Sequence, residues 1–144
     1  MKTVEMLKQL QADSIVFFMK THNYHWNVKG VNFPQIHSTT QAIYEEFAEI
    51  FDDLAERIIQ LGGIPHVTLA DALKASKIAE ESKQSFCASD VLEGVLKDYE
   101  YFEASFRELS KLAGEEGDNV TAGFADEKTG SLQKGIWMLK AQKA

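Results

Sequence analysis

The chain has 144 residues, with 15 Lys and Arg against 22 Asp and Glu, a net charge of -7; that balance argues against a protein whose main partner is nucleic acid, since phosphate binding needs basic surface, and suits cation attraction. With 44% hydrophobic and 26% charged residues it has a globular composition and the size of one domain, 1–144. Its only cysteine, Cys87, excludes an internal disulfide and points to a reducing compartment.

The N-terminal stretch MKTVEMLKQLQAD lacks an apolar region of signal-peptide length. The longest apolar run, Ile15 to Met19, is five residues, far too short to span a membrane. A cytoplasmic protein is expected.

Apolar residues Val4, Leu7, Leu10, Ile15, Phe18 and Trp26 predict a first helix from about Thr3 to Lys29, with Gly30 as its C-terminal cap. Asn32 is placed to cap a second helix, and Pro34 suits its first turn, where no amide donor is needed. That helix runs to Gly62-Gly63, and Pro65 forbids its continuation. Ile43, Phe47, Ile50, Leu54, Ile58 and Leu61 line one face of it. Glu45, Glu49, Asp52 and Glu56 repeat at the same spacing on a neighbouring face, a row that wants a cation or open water. The link between the two helices is short, so they form an antiparallel hairpin.

A longer connection, about Gly63 to Ala88, follows. Within it Thr68 to Asp71 reads as a capping box opening a short helix to about Lys77. A connection of this length crosses the end of a bundle and sets the next helix parallel to the second. The third long helix is expected from about Ser89 to Ala113, with Leu92, Leu96, Tyr99, Phe102, Phe106 and Leu109 inward. Gly114 to Asn119 is a turn, and a fourth helix runs from about Val120 to Gln142, with Leu132, Ile136 and Leu139 inward. Its Gly123, Gly130 and Gly135 each cost roughly 1 kcal/mol relative to Ala, which marks a weak helix or one that packs closely. The pattern is all-α: a four-helix bundle with a short extra helix in the crossover between the second and third helices.

Metal sites in the core of such bundles commonly use Glu-x-x-His. The residues three before His22, His25, His37 and His66 are Met19, His22, Pro34 and Gly63, so that motif is absent. His25 and His37 lie equally far from Val31, the centre of the first turn, and the hairpin sets them side by side. Asp52 and Glu56 share a helix face at i and i+4. Imidazole with carboxylate suits iron, zinc or manganese. Taken singly, these features have plainer readings: His22 and His66 as polar surface or caps, Glu45 and Glu46 as a solvated face, Trp26 and Trp137 as core, Cys87 as an incidental thiol. The joint occurrence raises the metal reading above them.

The segments His25-Trp26-Asn27-Val28-Lys29-Gly30, Asn32-Phe33, His37 and Asp52-Asp53-Leu54-Ala55-Glu56-Arg57, with Leu61-Gly62 and the tail Ile136-Trp137-Met138-Leu139, resemble the Dps-like mini-ferritins, in particular their bacterial neutrophil-activating protein branch. The resemblance covers essentially the whole chain. It implies a ferritin-like bundle assembled as a hollow dodecamer. It implies oxidation of Fe(II) to Fe(III), with hydrogen peroxide as the favoured oxidant, and storage of ferric mineral inside. It carries metal-ligand roles onto His25, His37, Asp52 and Glu56, and sets Trp26 beside the iron, where its ring would trap stray oxidising equivalents. Zinc fits the same ligands and would compete. Asp118, Asp126 and Glu127 are available to line an entry pore. Action on a host-cell receptor is implied by this likeness alone.

Given those roles, the spacing has a consequence. His37 and Asp52 are 15 positions apart on one helix, about 22 Å at roughly 1.5 Å per residue. Metal–ligand bonds are only about 2 Å long. One straight helix cannot bring both to one ion. A two-fold mate packed antiparallel near residues 44 and 45 can, which gives two equal sites per dimer. A DNA-compacting role is the main rival. The chain shows no Lys-rich arm, only one early Lys and the ending Lys140-Ala141-Gln142-Lys143-Ala144, which argues against DNA binding at neutral pH.

Overall fold

The computed structural model describes residues 1–144. The chain is all-helical: α1 (Lys2–Asn27), α2 (Phe33–Gln60), α3 (Leu69–Ala75), α4 (Ala88–Glu115) and α5 (Asn119–Lys143). The helices pack as two hairpins, α1 on α2 and α4 on α5, and α1 also packs on α4. Side-chain pairs fix the directions. The Thr3 amide donates to Glu116 at 2.7 Å, Tyr101 donates to Asp13 at 2.5 Å, and Lys20 meets Asp98 at 2.8 Å. Positions rise along α1 as they fall along α4, so these two run antiparallel. Arg57 donates to Thr121 at 2.8 Å and Ser131 to Glu46 at 3.2 Å, which makes α2 and α5 antiparallel as well. It follows that α2 and α4 are parallel, the arrangement the long crossover predicts.

Local chemistry explains most boundaries. Pro34 stands in the first turn of α2, while Asn32 holds the N-cap position without a side-chain cap bond. Gly62 ends α2 with φ +84, a conformation only glycine adopts cheaply. The Thr68 hydroxyl accepts from the Asp71 amide at 3.2 Å and opens α3. The end of α1 departs from expectation. It stops at Asn27, because Val28 is extended (ψ 141) and bridges Phe86 of the crossover. The Lys29 amide donates to the Phe86 carbonyl at 2.8 Å and the Phe86 amide to the Asn27 carbonyl at 3.1 Å. Gly30, at φ +117, therefore shapes the turn and does not cap the helix.

Phe17, Phe47, Phe102 and Phe106 are fully buried, each worth about 1.5–3 kcal/mol. Phe17 and Phe47 meet edge-on at 4.7 Å, and Phe47 lies 4.8 Å from Phe102. Buried polar groups fasten the crossover. Asp13 accepts from Gln9, Ser76, the Lys77 amide and Tyr101, so one carboxylate ties α1 to the end of α3 and to α4.

Two tryptophans read as core are not. Trp26 is 60% exposed and Trp137 67%. Trp26 follows buried Tyr24 by two residues, about 200° around a helix of 3.6 residues per turn, and so points away from the core. Trp137 lies outside the arc from Leu132 to Leu139 that faces inward. Gly135 is a close approach: a Cβ there would lie 2.6 Å from Tyr99 Cε2, whereas Gly123 and Gly130 face open space.

Candidate metal centre

The hairpin brings His25, near the end of α1, against His37, in the first turns of α2. Their rings stack at 3.6 Å with 14° between planes. His25 Nδ1 donates to the backbone carbonyl of His37 at 2.7 Å, and His37 Nδ1 donates to the carbonyl of His25 at 2.9 Å. A carbonyl only accepts, so the hydrogen sits on Nδ1 in both rings, and in the neutral imidazole each Nε2 keeps its lone pair. Hydrogen bonding of the far nitrogen to a carbonyl is the usual way a metal-binding histidine is oriented. Burial pushes the His25 imidazole below its ordinary pKa; the bond to the His37 carbonyl opposes this in part, and the neighbouring His37 and His22 reinforce it. A ring kept neutral is ready to bind a cation.

The rings extend into a column. Phe33 stacks on His37 at 4.9 Å, and Tyr44 sets its ring nearly perpendicular to His25 at 5.2 Å. His22 stacks on Tyr44 at 3.7 Å and lies 5.3 Å from Trp26. His22, read as a polar surface group, thus joins the aromatic wall behind the pair, with Nδ1 donating to the Phe18 carbonyl at 2.8 Å. The i, i+4 spacing of Phe18, His22 and Trp26 was the available signal for it. Trp26 lines an open cleft of about 640 Å³ between α1 and the crossover, together with Met19, Leu69 and Leu73.

Asp52 and Glu56 lie exposed on α2 and touch neither histidine. No group of three or more His, Cys, Asp or Glu side chains in the single chain is close enough to hold a metal ion. One chain therefore supplies a pair of imidazoles at one end of α2 and a pair of carboxylates about 22 Å further along it. Glu46 differs from the exposed row: burial raises its carboxyl above the ordinary range, against the bond from Ser131. Asp118 caps α5, accepting from the Thr121 amide at 3.0 Å, and pairs with Arg57 at 2.9 Å. Asp126 accepts from Ser110 at 2.6 Å.

The family model for the ferritin-like domain matches residues 4–143. The "DNA protection during starvation protein" (Dps) of Helicobacter pylori is 55% identical over 144 residues, covering all of both chains. This chain belongs to the Dps-like mini-ferritins. The crystal structure of Helicobacter cinaedi CAIP superposes with a TM-score of 0.97 at 60% identity, covering 99% of each chain. Antigen TpF1 of Treponema pallidum superposes with a TM-score of 0.96 at 38% identity, over 98% of this chain and 90% of that one. The Dps of Vibrio cholerae O1, at a TM-score of 0.95 and 31% identity over 99% of this chain and 89% of that one, is described as a ferritin-like diiron-carboxylate protein. The all-helical ferritin-like fold expected from the sequence is the fold of these Dps-type structures.

Proposed function

We propose that the chain oxidises Fe(II), with hydrogen peroxide as the favoured oxidant, and stores the ferric product in a hollow dodecamer, so protecting the cell from oxidative damage. The observation that carries this reading is the reciprocal bonding of His25 and His37, which leaves two Nε2 lone pairs side by side. Two carboxylates complete a ligand set when they come from a two-fold mate: His25 and His37 of one chain facing the partner subunit's Asp52 and Glu56. The exposed apolar side chains Met19, Trp26, Leu69 and Leu73, which line the cleft along α1, support a partner on that face, because clustered apolar surface marks an interface.

In the reaction iron is the substrate. Imidazole and carboxylate hold Fe(II) with coordination positions left open for peroxide. Two Fe(II) give one electron each, peroxide takes both with two protons, and two waters leave. Pairing the electrons avoids free hydroxyl radical. Carboxylates favour the ferric product, which passes into the cavity. Trp26, lying against His22 on the same wall, is placed to absorb an unpaired oxidising equivalent. Zinc suits the same donors and would compete with iron; the Dps of Listeria innocua, 32% identical, has been crystallised and soaked with 10 mM zinc.

One combined assay tests the reading: peroxide consumption on addition of Fe(II), with particle size in solution. Rapid loss of peroxide by a particle of twelve chains is expected. Peroxide loss no faster than with Fe(II) alone contradicts it.

A further inference from the structure

Thr40 lies on α2 with 1% of its surface exposed, three residues after His37. Its hydroxyl donates to the Ile36 carbonyl at 2.7 Å, with the His37 carbonyl a longer second acceptor at 3.1 Å, so its single hydrogen is directed back along the helix and away from His25. Its oxygen then stands 3.2 Å from His25 Nδ1, beside the His37 carbonyl at 2.7 Å from the same nitrogen. Two oxygens thus converge on one ring nitrogen. If that nitrogen bore a lone pair, it would face the lone pairs of both oxygens; only an N–H satisfies the arrangement.

We propose that Thr40 is a positioning residue of the metal site: its hydroxyl oxygen shares the His25 Nδ1 hydrogen with the His37 carbonyl and so keeps Nε2 unprotonated and aimed for metal. This rests on the reading of His25 as a ligand. The plainer account makes Thr40 an ordinary buried hydroxyl bonded within its own helix. The chain supplies the comparison. Ser14, Thr21 and Thr129 donate to the carbonyls of Leu10, Phe17 and Ala125 at 2.7, 2.8 and 2.8 Å in the same manner, and none of them meets a ring nitrogen. Thr40 alone combines the intrahelical bond with a contact to a histidine of another helix. Sharing the hydrogen also makes the ring a better electron donor, the effect outer partners have on ligating histidines.

The test is an anaerobic Fe(II) titration of the assembled protein. Thr40→Val keeps the shape and removes the oxygen; it should weaken Fe(II) binding about tenfold, the lower range for loss of an outer partner. Thr40→Ser restores the oxygen and should restore the affinity. Thr21→Val removes a buried hydroxyl that touches no ligand and should bind Fe(II) as the unaltered protein does. Should Thr40→Val fail to assemble, Thr40→Ala serves in its place. Unchanged affinity in the oxygen-less variant, equal weakening in Thr40→Ser, or equal weakening in Thr21→Val each overturns the role of Thr40. His25→Ala, titrated alongside, separates the two claims. If it binds Fe(II) undiminished, the ligand reading itself falls; if it loses binding while Thr40→Val does not, only the Thr40 proposal falls.

Discussion

His25 and His37 each donate Nδ1–H to the other's backbone carbonyl, at 2.7 and 2.9 Å. Because the acceptors are main-chain atoms, replacing one ring leaves the other ring's bond in place. His37→Ala should therefore keep His25 oriented. It loses one hydrogen bond and costs stability on the order of 1 kcal/mol. Fe(II) oxidation should fall at least about tenfold, since even disturbing a ligand's outer partner has that effect. Thermal unfolding and initial oxidation rates check the two halves separately. A rate that falls only in step with stability would argue against a ligand role.

The three glycines of α5 should respond in opposite directions. A methyl at Gly135 meets the Tyr99 ring at 2.6 Å, and that ring is hemmed by Phe17 and Phe47, each at 6.1 Å. Overpacking costs about 1–3 kcal/mol and is offset by about 1 kcal/mol of helix propensity, so Gly135→Ala should destabilise. Gly123→Ala and Gly130→Ala meet nothing within 4 Å and should each stabilise by up to about 1 kcal/mol. Thermal melts at one protein concentration decide it.

Lys20 and Asp98 form an ion pair at 2.8 Å with side chains 11% and 9% exposed. Burial raises the Asp98 carboxyl above its ordinary pKa, opposed by its bond to Lys20. A carboxyl raised in the fold stabilises at low pH, and that contribution is lost as pH rises through its folded value. Lys20→Met leaves the carboxylate unpaired and should cost about 3 kcal/mol at neutral pH. The deficit should shrink as pH falls through the carboxylate range and Asp98 takes up a proton. Denaturant melts across that range test it; a deficit independent of pH would mean the loss is one of packing.

Helix periodicity made the four long helices and the short crossover helix readable, and the symmetry of His25 and His37 about Val31 foretold their contact. What escaped was non-local. Phe86 ends α1 through a bridge to Val28, 58 positions away, which no local pattern signals. Asp13 is a carboxylate in the core, and its partners on other elements, the end of α3 and Tyr101 of α4, explain the burial. Trp26 is apolar yet faces out, because an apolar residue on a helix records a preference for contact and not which surface supplies it.

An excess of acidic residues should keep the protein off DNA. With a net charge of -7, no shift of duplex DNA is expected at neutral pH and physiological salt. Gel retardation by iron-free protein under those conditions would show that local basic patches outweigh the whole.

Complementation between two inactive chains shows whether the imidazoles and carboxylates of one site come from different subunits. A His25→Ala/His37→Ala chain and an Asp52→Ala/Glu56→Ala chain should each assemble and each fail to oxidise Fe(II) rapidly. Reassembled together, mixed dimers contain one site with all four side chains intact, and rapid oxidation should return in proportion to the heterodimers formed. Heterodimers present in quantity with no recovery of oxidation would contradict the shared site.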